Sequence, residues 1–201
     1  VNLVIKIHNF LHNFFTANSE HRSHMWTRWK GTKKLDTPAI IIDKSKLLKN
    51  IYKMNDIAKE NNVNLRPHIK THKIPFIAKE QLKAGAVGIT TAKITEAEVM
   101  ADYGIRDIFI AYPLVTMEKI QKAIELSKKV RLILGVDSLE GTKILSKLLE
   151  ENNVTIEVRL EVDLGLERTG IPYESVLDIA KEISSLKNIK ISGIYTFRGP
   201  I

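Results

Sequence analysis

Short apolar runs alternate with amphipathic stretches along this chain at a near-constant rhythm, and few folds accept that pattern. Strands are expected over 39–43, 65–70, 86–91, 107–111, 130–136, 155–162 and 189–197. Helices are expected between them, over 46–60, 75–84, 94–103, 116–129, 138–151 and 173–186. In the first of these, apolar residues at 47, 48, 51, 54, 57 and 58 form one stripe, Ser45 is placed to cap it, and the Asn61-Asn62 pair to stop it. Gly85 and Gly104 read as the stops of the next two helices, and Ser138 as the opening of the fifth. Strand–helix alternation implies βαβ units and a parallel sheet. No glycine fingerprint of the dinucleotide or P-loop type follows the first strand, so a β/α barrel is preferred to a Rossmann sheet. The expected class is therefore α/β, a (β/α)8 TIM-type barrel. From residue 65 the chain supplies six such strands where a closed barrel has eight, and it stops directly after the sixth. An incomplete barrel, belonging to a longer protein, is the expectation.

Composition removes several alternatives. With 201 residues and 44% hydrophobic content, one domain can bury a core. The chain has no cysteine, which excludes disulfides and thiolate-held metals. No apolar run reaches the ~18–20 residues of a membrane span, so no membrane partner is expected; the lack of cysteine fits the cytoplasmic location that is expected. The net charge of +8 points to nucleic acid only until it is divided along the chain. Residues 1–34 hold six Lys/Arg against Glu20 alone, a net +5, leaving +3 for all the rest. Elsewhere lysines share helices with acids, as on solvated faces, and no basic stripe is interleaved with aromatics; a nucleic-acid role is not expected. Residues 1–34 also contain both tryptophans and four of the six histidines. Their apolar residues at 3, 4, 7, 11, 14 and 15 make a helix-like stripe, interrupted as a signal peptide by Lys6, His8 and His12. They are expected to be a non-core extension, with Met25 as the natural start and residues 35–201 as the folded part.

Three clusters carry chemistry. The first is Arg66-Pro67-His68-Ile69-Lys70-Thr71-His72-Lys73. Alternation along a strand puts Arg66, His68 and Lys70 on one face, where three basic groups are costly unless they meet an anion or solvent. Lys73 falls on the opposite face or in the next loop. The second, Glu161-Val162-Asp163-Leu164-Gly165-Leu166-Glu167-Arg168-Thr169-Gly170, is a strand running into acids and a glycine-flanked arginine. Arg168 offers a planar donor fork to a carboxylate, phosphate or phenolate, or pairs locally with Glu167. The third, Gly193-Ile194-Tyr195-Thr196-Phe197-Arg198-Gly199, closes the last strand with two aromatics that wall a site or fill the core.

Together these segments, with Gly85-Ala-Val-Gly-Ile-Thr-Thr-Ala-Lys-Ile-Thr-Glu-Ala-Glu-Val-Met100, resemble the D-threonine aldolase and D-serine dehydratase family over residues 37–201. The resemblance implies a barrel of the alanine racemase kind and pyridoxal 5′-phosphate (PLP) as cofactor. It makes Lys70 the lysine that forms the Schiff base, an amine that positive neighbours such as Arg66 and His68 help to deprotonate. It places Arg168 beside the cofactor's phenolic oxygen or the substrate carboxylate, Phe197 against the pyridine ring where many relatives have histidine, Tyr195 as a second wall, and His68 near the Schiff base or between strands. It implies aldol cleavage, dehydration or racemisation of a small D-amino acid, and a homodimer for full-length relatives. A carboxy-terminal β-domain, with divalent-metal ligands that this chain does not supply, completes those relatives. The strand over 39–43 should pair with that domain and so lack a partner here. Little turnover is expected of this chain alone. The alternatives are a PLP-binding homeostasis-type barrel without a β-domain and an inactive truncated product.

Overall fold

The computed structural model describes residues 4–5 and 38–197, which fall into two compact units, Val1–Ile51 and Tyr52–Ile201. In the first unit, β1 (Val4–Ile5) pairs antiparallel with β2 (Ile40–Ile41), in register Val4↔Ile41 and Ile5↔Ile40. The strand over 39–43 is thus shorter than expected, and it has a partner within the chain. The remaining expectations for residues 1–34, and those for Arg198 and Gly199, lie outside the described residues. Helix α1 (Lys44–Glu60) follows, and Asp43 Oδ1 accepts from the Lys46 N–H at 3.1 Å. Asp43 therefore caps this helix in place of Ser45, which already lies inside it; a carboxylate also suits the positive end of the helix dipole.

The second unit runs α2 (Pro75–Ala84), β3 (Ile89–Thr91), α3 (Ile94–Asp102), β4 (Asp107–Ile110), α4 (Met117–Ser127), β5 (Arg131–Val136), α5 (Leu139–Glu151), β6 (Ile156–Asp163), β7 (Ile171–Pro172), α6 (Val176–Ser184) and β8 (Ile189–Tyr195). Strands β3, β4, β5, β6 and β8 lie side by side, all parallel, and β8 pairs with β6. The short β7, which the sequence pattern did not suggest, pairs with Val162 and Asp163 at the end of β6. The fold is α/β with a parallel sheet and helical crossovers, and among the described residues the sheet is open. The helix expected over 173–186 divides into a 3-10 turn, Tyr173–Ser175, and α6.

The strand expected over 65–70 is corrected. Leu65 and Pro67 do run alongside β3, their carbonyls accepting from Val87 N (3.0 Å) and Thr90 N (2.8 Å), but only His68 forms a bridge, to Thr90. The chain then turns through a 3-10 helix, Ile69–Thr71. His68 explains the break: its Nδ1 accepts the Lys70 N–H at 3.3 Å, and just beyond, His72 Nδ1 accepts the Ile74 N–H at 3.0 Å. Donors that a longer strand would give to a neighbour are consumed locally.

One face of the sheet packs under the helices. Ile108, Ile110, Leu132, Leu134, Val158 and Leu160 join a single buried cluster with helix residues such as Met100, Ile120, Ile124 and Leu149. Burying each such side chain contributes about 2 kcal/mol. The alternate residues, Asp107, Phe109, Arg131, Ile133, Gly135, Glu157, Arg159 and Glu161, point to the opposite, inner face. Contacts across that face bear this out: Phe109 meets Tyr195 edge-on at 5.0 Å, and the Arg159 guanidinium lies 5.1 Å from the Phe109 ring.

Candidate active site

In a parallel sheet every strand delivers its carboxyl end to one edge, the place where α/β proteins build sites. Three side chains from distant segments meet there. Lys70 comes from the 3-10 turn after the His68 bridge, Arg168 from the loop between β6 and β7, and Phe197 from two residues beyond β8. The Lys70 Nζ lies 5.1 Å from the Phe197 ring centre and the Arg168 Cζ 4.5 Å from it. Among the described residues neither cation has a carboxylate partner, and Arg168 forms no ion pair with Glu167. Two unneutralised cations over one partly exposed ring make a local positive field suited to an anionic ligand.

The loop carrying Arg168 is stiff. Asp163 Oδ1 accepts from the N–H groups of Gly165 (3.0 Å), Leu166 (2.9 Å) and Glu167 (3.3 Å), holding the first half. At the far end Gly170 takes φ 112°, and a Cβ there would stand 2.8 Å from the Asp163 nitrogen, so only glycine lets the chain fold back onto β6 as β7.

His68 is half-buried beside Lys70. Its Nδ1 is an acceptor, which assigns the neutral imidazole's proton to Nε2. Burial, and then the charge of Lys70, hold its pKa below the usual histidine value, against a weaker opposing pull from Glu96. Lys73, the other lysine of the motif, lies in the loop after the turn at φ 53° and is tied to Glu96 Oε1 at 3.1 Å. The second Glu96 oxygen accepts the Ala92 N–H at 2.9 Å.

Arg66 does not join this group. Its Nη1 bonds Asp107 Oδ1 at 2.6 Å and reaches Ile89 O at 3.4 Å, at the amino-terminal end of the strands. Asp107 Oδ2 accepts from Arg131 at 2.8 Å, and Arg131 in turn holds both oxygens of Glu157, at 3.0 and 2.8 Å. Burial pushes the Asp107 carboxyl up, but the two arginines overcome this and hold it below its usual range. The expectation that Arg66 shares a face with Lys70 and adds charge to it is corrected: alternation ends at the His68 bridge, and Arg66 is neutralised elsewhere.

Tyr195 also sits deeper than a second wall for the ring of Phe197. Its hydroxyl donates to Glu161 Oε2 at 2.9 Å, and burial, then the Glu161 charge, push its pKa far upward. Glu161 and Thr169, beside the site, were not singled out as site residues from the sequence, nor was the Asp107–Arg131–Glu157 network at the opposite end. The signal was there in β6: Glu157, Arg159, Glu161 and Asp163 are charged at every second position of an otherwise aliphatic strand. Among the described residues no three His, Asp or Glu gather to hold a metal ion. No described helix is long and apolar enough to cross a membrane.

The parallel α/β sheet thus gathers a lysine, an arginine and an aromatic ring at the carboxyl ends of its strands. The chain belongs to the alanine racemase N-terminal domain family, whose model matches residues 42–199. It is 31% identical over 169 residues to a D-threonine aldolase of an Arthrobacter species, covering 84% of this chain and 45% of that protein. It is also 31% identical over 169 residues to the D-threo-3-hydroxyaspartate dehydratase of Delftia sp. strain HT23, covering 82% of this chain and 44% of the relative. The crystal structure of D-threonine aldolase from Filomicrobium marinum superposes with a TM-score of 0.76 at 34% identity, over 79% of this chain and 43% of that one. The chain spans less than half the length of these relatives.

Proposed function

We propose that this chain carries the cofactor-holding portion of a PLP-dependent enzyme acting on small D-amino acids by aldol cleavage, dehydration or racemisation, with Lys70 as the Schiff-base lysine. The observation that carries this reading is the convergence of Lys70 and Arg168 on the Phe197 ring, with no carboxylate partner for either cation among the described residues. The donor set fits the cofactor: a primary amine for its aldehyde, a guanidinium for an oxygen acceptor, and a ring to lie against its pyridine. PLP, when bound, supplies an electron sink for bonds at the substrate's α-carbon.

The chain's own groups divide the remaining work. Lys70 Nζ would hold the cofactor through its aldehyde and give way to the substrate amine. Arg168 would donate to the phenolic oxygen of the cofactor or to the substrate carboxylate. His68 Nδ1 holds the Lys70 backbone N–H and so fixes the turn from which that side chain reaches the site. Phe197 can stack but has no proton to move, and Tyr195 is committed as a donor to Glu161. Of the residues gathered here, that leaves the Lys70 amine and the His68 imidazole as the groups able to move a proton near the α-carbon.

Incubation with PLP, borohydride reduction and peptide mapping test the assignment. A pyridoxyl adduct on Lys70 is expected. An adduct on another lysine, with Lys70 unmodified, overturns it.

A further inference from the structure

One buried carboxylate has no part in the chemistry above. Glu161, on the inner face of β6, is 3% exposed. A carboxylate so buried is costly unless it is well hydrogen-bonded. Its two oxygens are each engaged by a hydroxyl: Oε1 accepts from Thr169 Oγ1 at 2.9 Å and Oε2 from the Tyr195 hydroxyl at 2.9 Å. These are charge-assisted bonds, the stronger kind.

The two donors stand beside the two partners of the site. Thr169 adjoins Arg168 in the loop, and Tyr195 lies two residues before Phe197 on the same side of its strand. Glu161 thus bridges the two segments whose side chains meet at 4.5 Å above it. The inner face is shaped for this bridge: a Cβ on Gly135 would collide with the Tyr195 hydroxyl, and Phe109 braces the Tyr195 ring. Asp163 anchors only residues 165–167 of the loop, and Gly170 secures its return. Among the described residues, Thr169 provides the side-chain anchor next to Arg168.

We propose that Glu161 is a positioning residue: its carboxylate latches Thr169 to Tyr195 and so fixes the Arg168 guanidinium against Phe197. What Arg168 then contacts rests on the PLP reading, whereas the latch is a property of the free chain.

The test uses the 201-residue chain and its variants Glu161→Gln, Glu161→Ala, Thr169→Val, Tyr195→Phe, Arg168→Met and Thr169→Val/Arg168→Met. Amide hydrogen exchange over residues 164–170, without cofactor, reads the latch. Thr169→Val and Tyr195→Phe, each losing one hydrogen bond, are expected to speed exchange there about fivefold, and Glu161→Ala more. Glu161→Gln is expected to restore protection, since its amide can accept from one hydroxyl and donate to the other. PLP titration reads the consequence. Thr169→Val is expected to weaken binding about fivefold in the parent chain and to cost nothing further beside Arg168→Met. Full additivity of those two substitutions overturns the proposal, as does unchanged loop exchange in both Thr169→Val and Tyr195→Phe. If the parent chain forms no adduct at Lys70, the functional reading falls, and exchange over 164–170 still decides the latch.

Discussion

The two ends of the inner sheet face are built from the same residue types and treat them in opposite ways. At the amino-terminal end, Arg66 and Arg131 share Asp107, and Arg131 also grips Glu157 through two hydrogen bonds. At the carboxyl end, Lys70 and Arg168 approach one aromatic ring and, among the described residues, no carboxylate. A half-buried cation costs free energy unless it is paired, so the first arrangement supports the fold. The second leaves its charges available to an incoming anion. Pairing separates the cations that hold the sheet together from those proposed to meet a ligand.

The sharpest test of that contrast is Lys70→Ala, which should abolish reductive pyridoxyl labelling at this site while changing stability by less than about 0.5 kcal/mol in a denaturant titration. Loss of labelling together with unfolding would place Lys70 with the structural cations. Next in size, Asp107→Ala strands Arg66 and takes one of Arg131's two carboxylate partners, and should cost about 2 kcal/mol, read as a lower denaturation midpoint; partial exposure keeps this below the fully buried case. Arg168→Met should weaken PLP binding about tenfold, some 1.4 kcal/mol, with little change in the midpoint. The smallest effect is a pH dependence. Asp107 and Glu157 both have folded pKa values below their unfolded ones, so their contribution is full above about pH 4–5 and is lost as pH falls through the lowered values. Removing their shared partner with Arg131→Met should flatten the fall in stability between about pH 5 and 3 by roughly 1 kcal/mol.

The architecture was legible because its determinants are local. Period-2 and period-3.6 patterns mark β4, β5, β6 and α5 to within a residue or two, and Ser138 caps α5 through the Gly141 N–H as its position suggests. Legibility failed where a side chain captured a backbone donor. The segment 65–70 alternates like a strand, yet the imidazole of His68 closes a turn that alternation cannot reveal. The short β7 was equally hidden, since it depends on Gly170 folding back onto β6. In the site, the three clusters were visible singly, but their depth was not. Arg66 and Tyr195 read as neighbours of Lys70 and Phe197 because strand alternation specifies a face and says nothing of height along it. Asp107 and Glu161, the carboxylates that claim them, lie on other strands, and pairing across strands is set by the sheet.

The Arg168 loop returns to its own strand, and this sets an order of assembly. Thr169 reaches Glu161 across only eight residues, so β6 and its loop can close early, at small entropic cost. Tyr195 reaches the same carboxylate across 34, and Lys70 meets Phe197 across nearly the whole described chain. The arginine can therefore be in place well before the lysine and the ring share a site. On the PLP reading proposed above, cofactor uptake would then be a late event in folding, and a lysine-bound chromophore would mark the moment the turn before β3 and the end of β8 reach their final places.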